Sequence, residues 1–235
     1  MSVNMYVSIR FLICALPLVI YACQPQDKKE AVQQVIIADS SDEDEGHPFE
    51  SLVQNYEAPD RGNWQNPQMV LNKLLPLKGK TIADIGAGTG YFTFRMADQG
   101  AEVIAVDIDE RFLSYIDEHK AELPREQRSR ISTRISAEND PLLEAGEVDG
   151  ALVVNTYYFL GDRTNYLKKI LNAITTNGTI LIVDYKQGDL PVGPQEINKV
   201  SPAEVANELK AAGFTDIKND NESLPYQYMI TATKP

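Results

Sequence analysis

Thr81-Ile82-Ala83-Asp84-Ile85-Gly86-Ala87-Gly88-Thr89-Gly90-Tyr91-Phe92-Thr93-Phe94-Arg95-Met96-Ala97 reads as strand, glycine turn and helix in seventeen residues. Thr81–Ile85 is a short apolar run, and Tyr91–Asp98 reads as a helix stopped by Gly100. Glycines between the two let the backbone turn tightly and approach a ligand closely. The helix N-terminus behind them presents free N–H groups and partial positive charge to an anionic ligand group. In an open α/β sheet such a turn borders the ligand crevice at the carboxyl ends of the strands.

The same alternation continues outward. Asn66-Pro67 starts a helix with Asn as N-cap and Pro at the first helical position, and Val70, Leu71, Leu74 and Leu75 follow at helical spacing. Downstream, Glu102–Val106 is a second strand and Glu110–Glu122 an amphipathic helix. Arg130–Ile135 and Val148–Val154 are the third and fourth strands. Arg163–Ile174 reads as a helix closed by Asn177-Gly178, and Thr179–Asp184 as a fifth strand. Ser201-Pro202-Ala203-Glu204 is a capping box opening a helix that ends at Gly213. Phe214–Lys218 and Gln227–Thr233 are two last strands with no helix between them, so they pair antiparallel. The pattern predicts an α/β fold with a doubly wound, mostly parallel seven-stranded sheet whose last strand is antiparallel.

The turn is G-x-G-x-G, with Tyr91 where the dinucleotide fingerprint G-x-G-x-x-G has its third glycine. That departure disfavours an NAD-dependent oxidoreductase. Asp107 closes the second strand, where a carboxylate can take both hydroxyls of a ribose. Asp84–Gly90 with Asp107 resembles motif I and the following acidic position of class I S-adenosylmethionine-dependent methyltransferases, over nearly all of Glu57–Lys234. The resemblance implies a Rossmann-like fold and S-adenosyl-L-methionine as cofactor. It implies that Asp84, Gly86, Gly88 and Gly90 line the methionine and ribose part, and that Ile108 packs on adenine. Glu138, within Ser136–Asp140, would pass the adenine edge, and Asn155 would sit beneath the methionine.

Arg61–Pro67, Asn155–Tyr158, Val192–Pro194 and Leu224–Tyr228 further resemble a bacterial subgroup of small methyltransferases, in which an aromatic segment before the first helix covers the cofactor. Trp64 either plays that part or packs the first helix; both readings stay open. Members often carry His where this chain has Tyr158, so histidine-based proton transfer is in doubt here. Tyr157 and Tyr158 are base candidates by position, although burial is the simpler use of an aromatic ring.

Ahead of this body, Met1–Arg10 carries one positive charge and Phe11–Ile20 is an apolar run, too short to span a bilayer, which takes about 20 residues. Ile20-Tyr21-Ala22-Cys23 resembles the lipobox of bacterial lipoproteins, which implies cleavage before Cys23 and acylation of its sulfur and new N-terminus. Gln24 after it favours the outer membrane by the same resemblance, with the domain outside the cytoplasm. Residues 1–22 are then a signal peptide, 23–47 an acidic tether and 48–235 the folded domain. Asp39–Glu45 repels itself and builds no core.

Composition narrows the functions. Among 235 residues a net charge of −12 argues against nucleic acid as the main partner. Cys14 and Cys23 are the only cysteines, so residues 24–235 hold no disulfide, thiolate metal site or cysteine nucleophile, and two distant histidines make a zinc site improbable. The expectation is a membrane-tethered methyltransferase acting on a small molecule. The alternative is a non-catalytic ligand- or protein-binding lipoprotein on the same fold, since the cofactor is made in the cytoplasm.

Overall fold

The computed structural model describes residues 48–235 apart from Leu75; the expectations for Cys23, the signal peptide and the tether lie outside the described residues. Seven strands form one sheet in the order β3-β2-β1-β4-β5-β7-β6. They are β1 (Thr81–Ile85), β2 (Glu102–Asp107), β3 (Ile131–Ile135), β4 (Val148–Val154), β5 (Ile174–Tyr185), β6 (Thr215–Asp220) and β7 (Gln227–Thr233). β1 pairs in parallel with β2 and with β4, and β4 with β5. Only β7 is reversed, running antiparallel to both β5 and β6, as the sequence predicts.

Period-two alternation divides the core between the two faces of the sheet. Ala83, Ile85, Val106, Ala151, Val153, Ile180 and Ile182 meet Leu167 and Ile170 of α7 (Arg163–Ala173) and Val205 and Leu209 of α8 (Pro202–Ala212). Ile82, Val103, Ala105, Leu152 and Leu181 meet Val70 and Leu71 of α3 (Pro67–Asn72) and Phe92, Met96 and Ala97 of α4 (Tyr91–Asp98). α5 (Glu110–Ala121) adds Ile116 to the second cluster.

The helix starts form as their sequences dictate. Asn66 accepts a hydrogen bond from Met69 N at 3.2 Å and Ser201 one from Glu204 N at 3.2 Å, each ahead of a Pro at the first position. The expected capping box at Ser201 is only half used, because the Glu204 carboxylate pairs with Arg163 at 2.5 Å.

Two expectations change. α7 ends at Ala173, and the chain enters β5 directly at Ile174, whose partner is Val148. Asn177, at φ +61°, lies within that long strand rather than closing a helix; β-branched Thr175 and Thr176 favour the extended form there. Three helices add to the expected set: α1 (Phe49–Tyr56), α2 (Arg61–Gln65) and α6 (Arg125–Arg128). Phe49, Leu52, Val53 and Tyr56 recur at i, i+3, i+4 and i+7, a helical signal for α1.

Candidate functional site

Strand order reverses between β1 and β4, since β2 and β3 lie to one side and β5 to the other. The crevice outside their carboxyl ends is where an open α/β sheet takes its ligand. The glycine turn fills that point. Gly86, Gly88 and Gly90 have φ of +70°, +53° and +82°, all in the left-handed region. A Cβ on Gly86 would be driven into the side chain of Thr156, just past β4.

Asp84, at the end of β1, is 3 % exposed and accepts a 2.6 Å hydrogen bond from Thr93 Oγ1 on α4. Burial pushes its pKa up to about 6 against the pull of that bond. Asp84 thus fastens the first turn of α4 to the strand behind the glycines.

Asp107 closes β2 beside them. Its Oδ2 accepts from Gly88 N at 2.8 Å and its Oδ1 from Asp109 N at 3.0 Å. Burial raises its pKa, while those two N–H groups pull it down. Each carboxylate oxygen still has a second lone pair for a ligand hydroxyl. Ile108 follows with 60 % of its surface exposed, an apolar side chain next to an acid at the mouth of the crevice. Glu138 is exposed in the turn held by the Ala137–Asp140 bridge after β3.

At the end of β4, Asn155 stands at φ +57°. Tyr157 is fully buried, and its hydroxyl hydrogen-bonds Glu208 on α8, in the core cluster on the far face of the sheet from the glycine-turn helix. Burial, then the Glu208 carboxylate, raise its pKa well above the ordinary tyrosine value. It is a wall residue, not a poised base. Tyr158 is half-buried, edge-to-face with Phe159 at 5.3 Å.

The helices before β1 lie over this crevice. The Tyr56 ring stacks on Phe112 at 5.4 Å, and a Cβ on Gly88 would meet it at 3.2 Å. Glu57 accepts a 2.5 Å hydrogen bond from Thr89 Oγ1 in the glycine turn. Trp64 meets Tyr185 and Tyr226 with centroids 6.0 and 6.4 Å apart, so it joins an aromatic wall at the carboxyl end of β5.

A directional hydrogen-bond chain crosses the same region. Arg61 Nε donates to Gln65 Oε1 at 2.6 Å, and Gln65 Nε2 to Gln227 Oε1 at 3.1 Å. Gln227 Nε2 donates to Asn155 Oδ1, and Asn155 Nδ2 reaches Tyr185 Oη at a long 3.5 Å. Gln65 and Gln227 have no exposed surface, and Tyr185 is 2 % exposed. Gly193 completes the wall: a Cβ there would sit 2.5 Å from the Tyr185 ring. The Arg61–Pro67, Asn155–Tyr158, Val192–Pro194 and Leu224–Tyr228 segments thus meet in one place. Arg61, Gln65, Tyr185 and Gln227 join the candidate site although sequence reasoning gives none of them an individual role; Arg61, Gln65 and Gln227 fall within segments that the subgroup resemblance picks out, and that is the signal they leave.

The donor set suits an adenosyl ligand: a positive-φ glycine turn, an anchored acid with spare lone pairs and an exposed apolar neighbour. No group of three or more His, Cys, Asp or Glu positioned for a metal occurs among the described residues. Residues 83–180 match a family model described as a methyltransferase domain. A tRNA U34 carboxymethyltransferase of Actinobacillus succinogenes is 27% identical over 169 residues, 67% of this chain and 52% of that protein. The chain spans about half the length of the curated relatives it matches. A S-adenosylmethionine-dependent methyltransferase structure from Aquifex aeolicus superposes with TM-score 0.73 at 21% identity, covering 81% of this chain and all of that one. A Haemonchus contortus phosphoethanolamine N-methyltransferase in complex with S-adenosyl-L-methionine gives TM-score 0.61 at 16% identity, covering 81% and 61%. The matched segment holds Asp84, the glycine turn, Asp107 and Asn155, and the fold is the one these methyltransferase structures share.

Proposed function

We propose that this chain is an S-adenosylmethionine-dependent methyltransferase that serves a small-molecule acceptor from a lipid anchor at Cys23 on the outer membrane. The carrying observation is the bond from Gly88 N to Asp107 Oδ2, which fixes an acid against the glycine turn with lone pairs free. Asp107 would hold the ribose hydroxyls, Ile108 and the 136–140 turn the adenine, and the Gly86–Asn155 side the amino-acid part.

When bound, the cofactor supplies a methyl group on a positively charged sulfur. The residues align and enclose: Tyr56, Trp64 and Tyr185 exclude water, and the glycine turn fixes position. Burial holds the Tyr185 hydroxyl protonated, so it donates rather than removes a proton. Neither Tyr157 nor Tyr185 serves as a base in this reading.

The small-acceptor reading rests on the net charge of −12, which repels a phosphate backbone. The relatives' names point to tRNA for those proteins, of which this chain spans half. The anchor reading rests on Ile20-Tyr21-Ala22-Cys23 after the apolar run.

Calorimetric titration with S-adenosylmethionine, S-adenosylhomocysteine and NAD tests the site, with Trp64 fluorescence as a second signal. Micromolar binding of both adenosyl ligands and none of NAD is expected; no adenosyl binding at millimolar ligand refutes the reading. Methyl-labelled cofactor incubated with fractionated small metabolites, against a tRNA control, separates the two acceptor classes. Intact mass of the full chain recovered from bacterial membranes shows whether Cys23 is acylated; a cytosolic, unmodified chain overturns the anchor.

A further inference from the structure

Arg61 is a cation without an ion pair among the described residues. It lies over the glycine-turn side of the crevice, its guanidinium carbon 4.0 Å from the Tyr91 ring centroid. Arg95 packs its own guanidinium against the same ring at 3.6 Å. Neither arginine makes a salt bridge within the described residues, although acids outnumber bases 34 to 22 in the chain. Arg95 Nη1 is given to the carbonyl of Tyr91. Arg61 is held by neutral groups: Nε by Gln65 Oε1, and Nη1 by the carbonyl of Tyr56 at 2.6 Å. Glu57, the acid whose charge acts on it, bonds Thr89 instead.

A half-buried guanidinium held by neutral acceptors is oriented but not neutralised. That arrangement costs desolvation unless an anion completes it. Its place identifies the anion. Asp107 lies on the β2 side of β1, whereas the chain from Arg61 through Gln65 and Gln227 ends at Asn155 and Tyr185, on the β4 and β5 side. An adenosyl amino acid with its ribose on Asp107 and its chain laid across Gly86 carries its carboxylate toward that second side.

We propose that Arg61 is the anchor for the carboxylate of the cofactor's amino-acid part, and that the glutamine pair beneath it sets the guanidinium's angle. This rests on the adenosyl reading of the site. The cofactor's carboxylate would take the face of Arg61 left open by Gln65 and Tyr56, as an end-on or forked pair.

Calorimetry on the wild-type protein and on Arg61→Met and Arg61→Lys would use three probes. These are S-adenosylmethionine, decarboxylated S-adenosylmethionine and 5′-methylthioadenosine. The first two differ only in the carboxylate; the third lacks the amino acid and reports an intact nucleoside cleft. The wild type should prefer the carboxylated probe at least tenfold. Arg61→Met should reduce that preference below about threefold and Arg61→Lys retain part of it, with 5′-methylthioadenosine affinity unchanged in both. A preference that survives in Arg61→Met, or none in the wild type, overturns the anchor while leaving the nucleoside site standing. Failure of all three probes on the wild type overturns the adenosyl reading itself, and the anchor with it.

Discussion

Gln65 on α2 and Gln227 on β7 stand 162 positions apart in the chain and share a buried side-chain hydrogen bond of 3.1 Å. Through it the helices before β1 are tied to the one reversed strand of the sheet, directly beside the ligand crevice. Both amides are fully satisfied only together, because each is bonded onward, Gln65 to Arg61 and Gln227 to Asn155.

Removing one partner of that pair should therefore cost more than removing both in proportion. Gln227→Leu strands the Gln65 amide and Asn155 carbonyl in a dry site, at about 1–3 kcal/mol. The double variant Gln65→Leu/Gln227→Leu should lose less than the sum of the singles, by about 0.5–2 kcal/mol of coupling. Urea denaturation of the four proteins gives both quantities; strict additivity would mean the two side chains do not interact in solution.

The glycine turn gives a steric prediction. Gly86→Ala places a Cβ on a backbone at φ +70° and into the side chain of Thr156, within 3 Å of three of its atoms. Strain of this kind costs about 1–3 kcal/mol. The midpoint of thermal unfolding should fall, and affinity for S-adenosylhomocysteine should fall with it. Gly79→Ala serves as the control: its φ is also positive, +73°, but its Cβ meets nothing within 4 Å and it lies before β1. It should lose stability without losing affinity.

Asp107→Ala tests the acid. Charge-assisted hydrogen bonds contribute about 1.5–3 kcal/mol, so affinity for S-adenosylhomocysteine should drop roughly 10- to 100-fold. Adenosine should lose about as much as S-adenosylhomocysteine, since the ribose is common to both. A loss confined to S-adenosylhomocysteine would place the acid at the amino-acid end instead.

What the sequence reveals follows from the range of the forces involved. The glycine turn, Asp84 and Asp107 are legible because turn chemistry and strand ends act over a few residues: Gly88 N meets Asp107 across adjacent strands whose order the alternation implies. The Pro-led caps at Asn66 and Ser201 are legible for the same reason. α7 reads one residue too long, because Ile174 continues its apolar spacing while pairing with Val148, a contact with no local trace. The Arg61–Gln65–Gln227–Asn155 chain is illegible as chemistry. Each member is an ordinary polar residue, and only the tertiary fold closes Gln65 and Gln227 off from water. Tyr157 shows the reverse: position at a strand end offers it for chemistry, but burial, the simpler reading, is what the fold gives it, with its hydroxyl bonded to Glu208 on the other face.

Asp184 is the last group with a pH consequence. It lies at the end of β5, 3 % exposed, with Oδ1 accepting from Tyr185 N at 2.7 Å and Oδ2 bonded to nothing in the described residues. Burial pushes its pKa up to about 7, against the pull of the Tyr185 and Tyr157 N–H groups. A carboxyl whose pKa is higher folded than unfolded favours the fold in its protonated form. Its contribution is fully present below the ordinary carboxylate pKa and is lost as pH rises through about 7. Asp184→Asn keeps the Oδ1 acceptor and removes the titration. The variant's stability relative to wild type should rise between pH 4 and pH 8, by up to roughly 4 kcal/mol, because each tenfold difference in proton affinity between the folded and unfolded chain is worth about 1.4 kcal/mol. Any constant offset from the new amide N–H cancels in that comparison. Urea denaturation of both proteins at pH 4, 5.5, 7 and 8 measures it, and parallel curves across the range would mean that Asp184 titrates in the fold as it does in the unfolded chain.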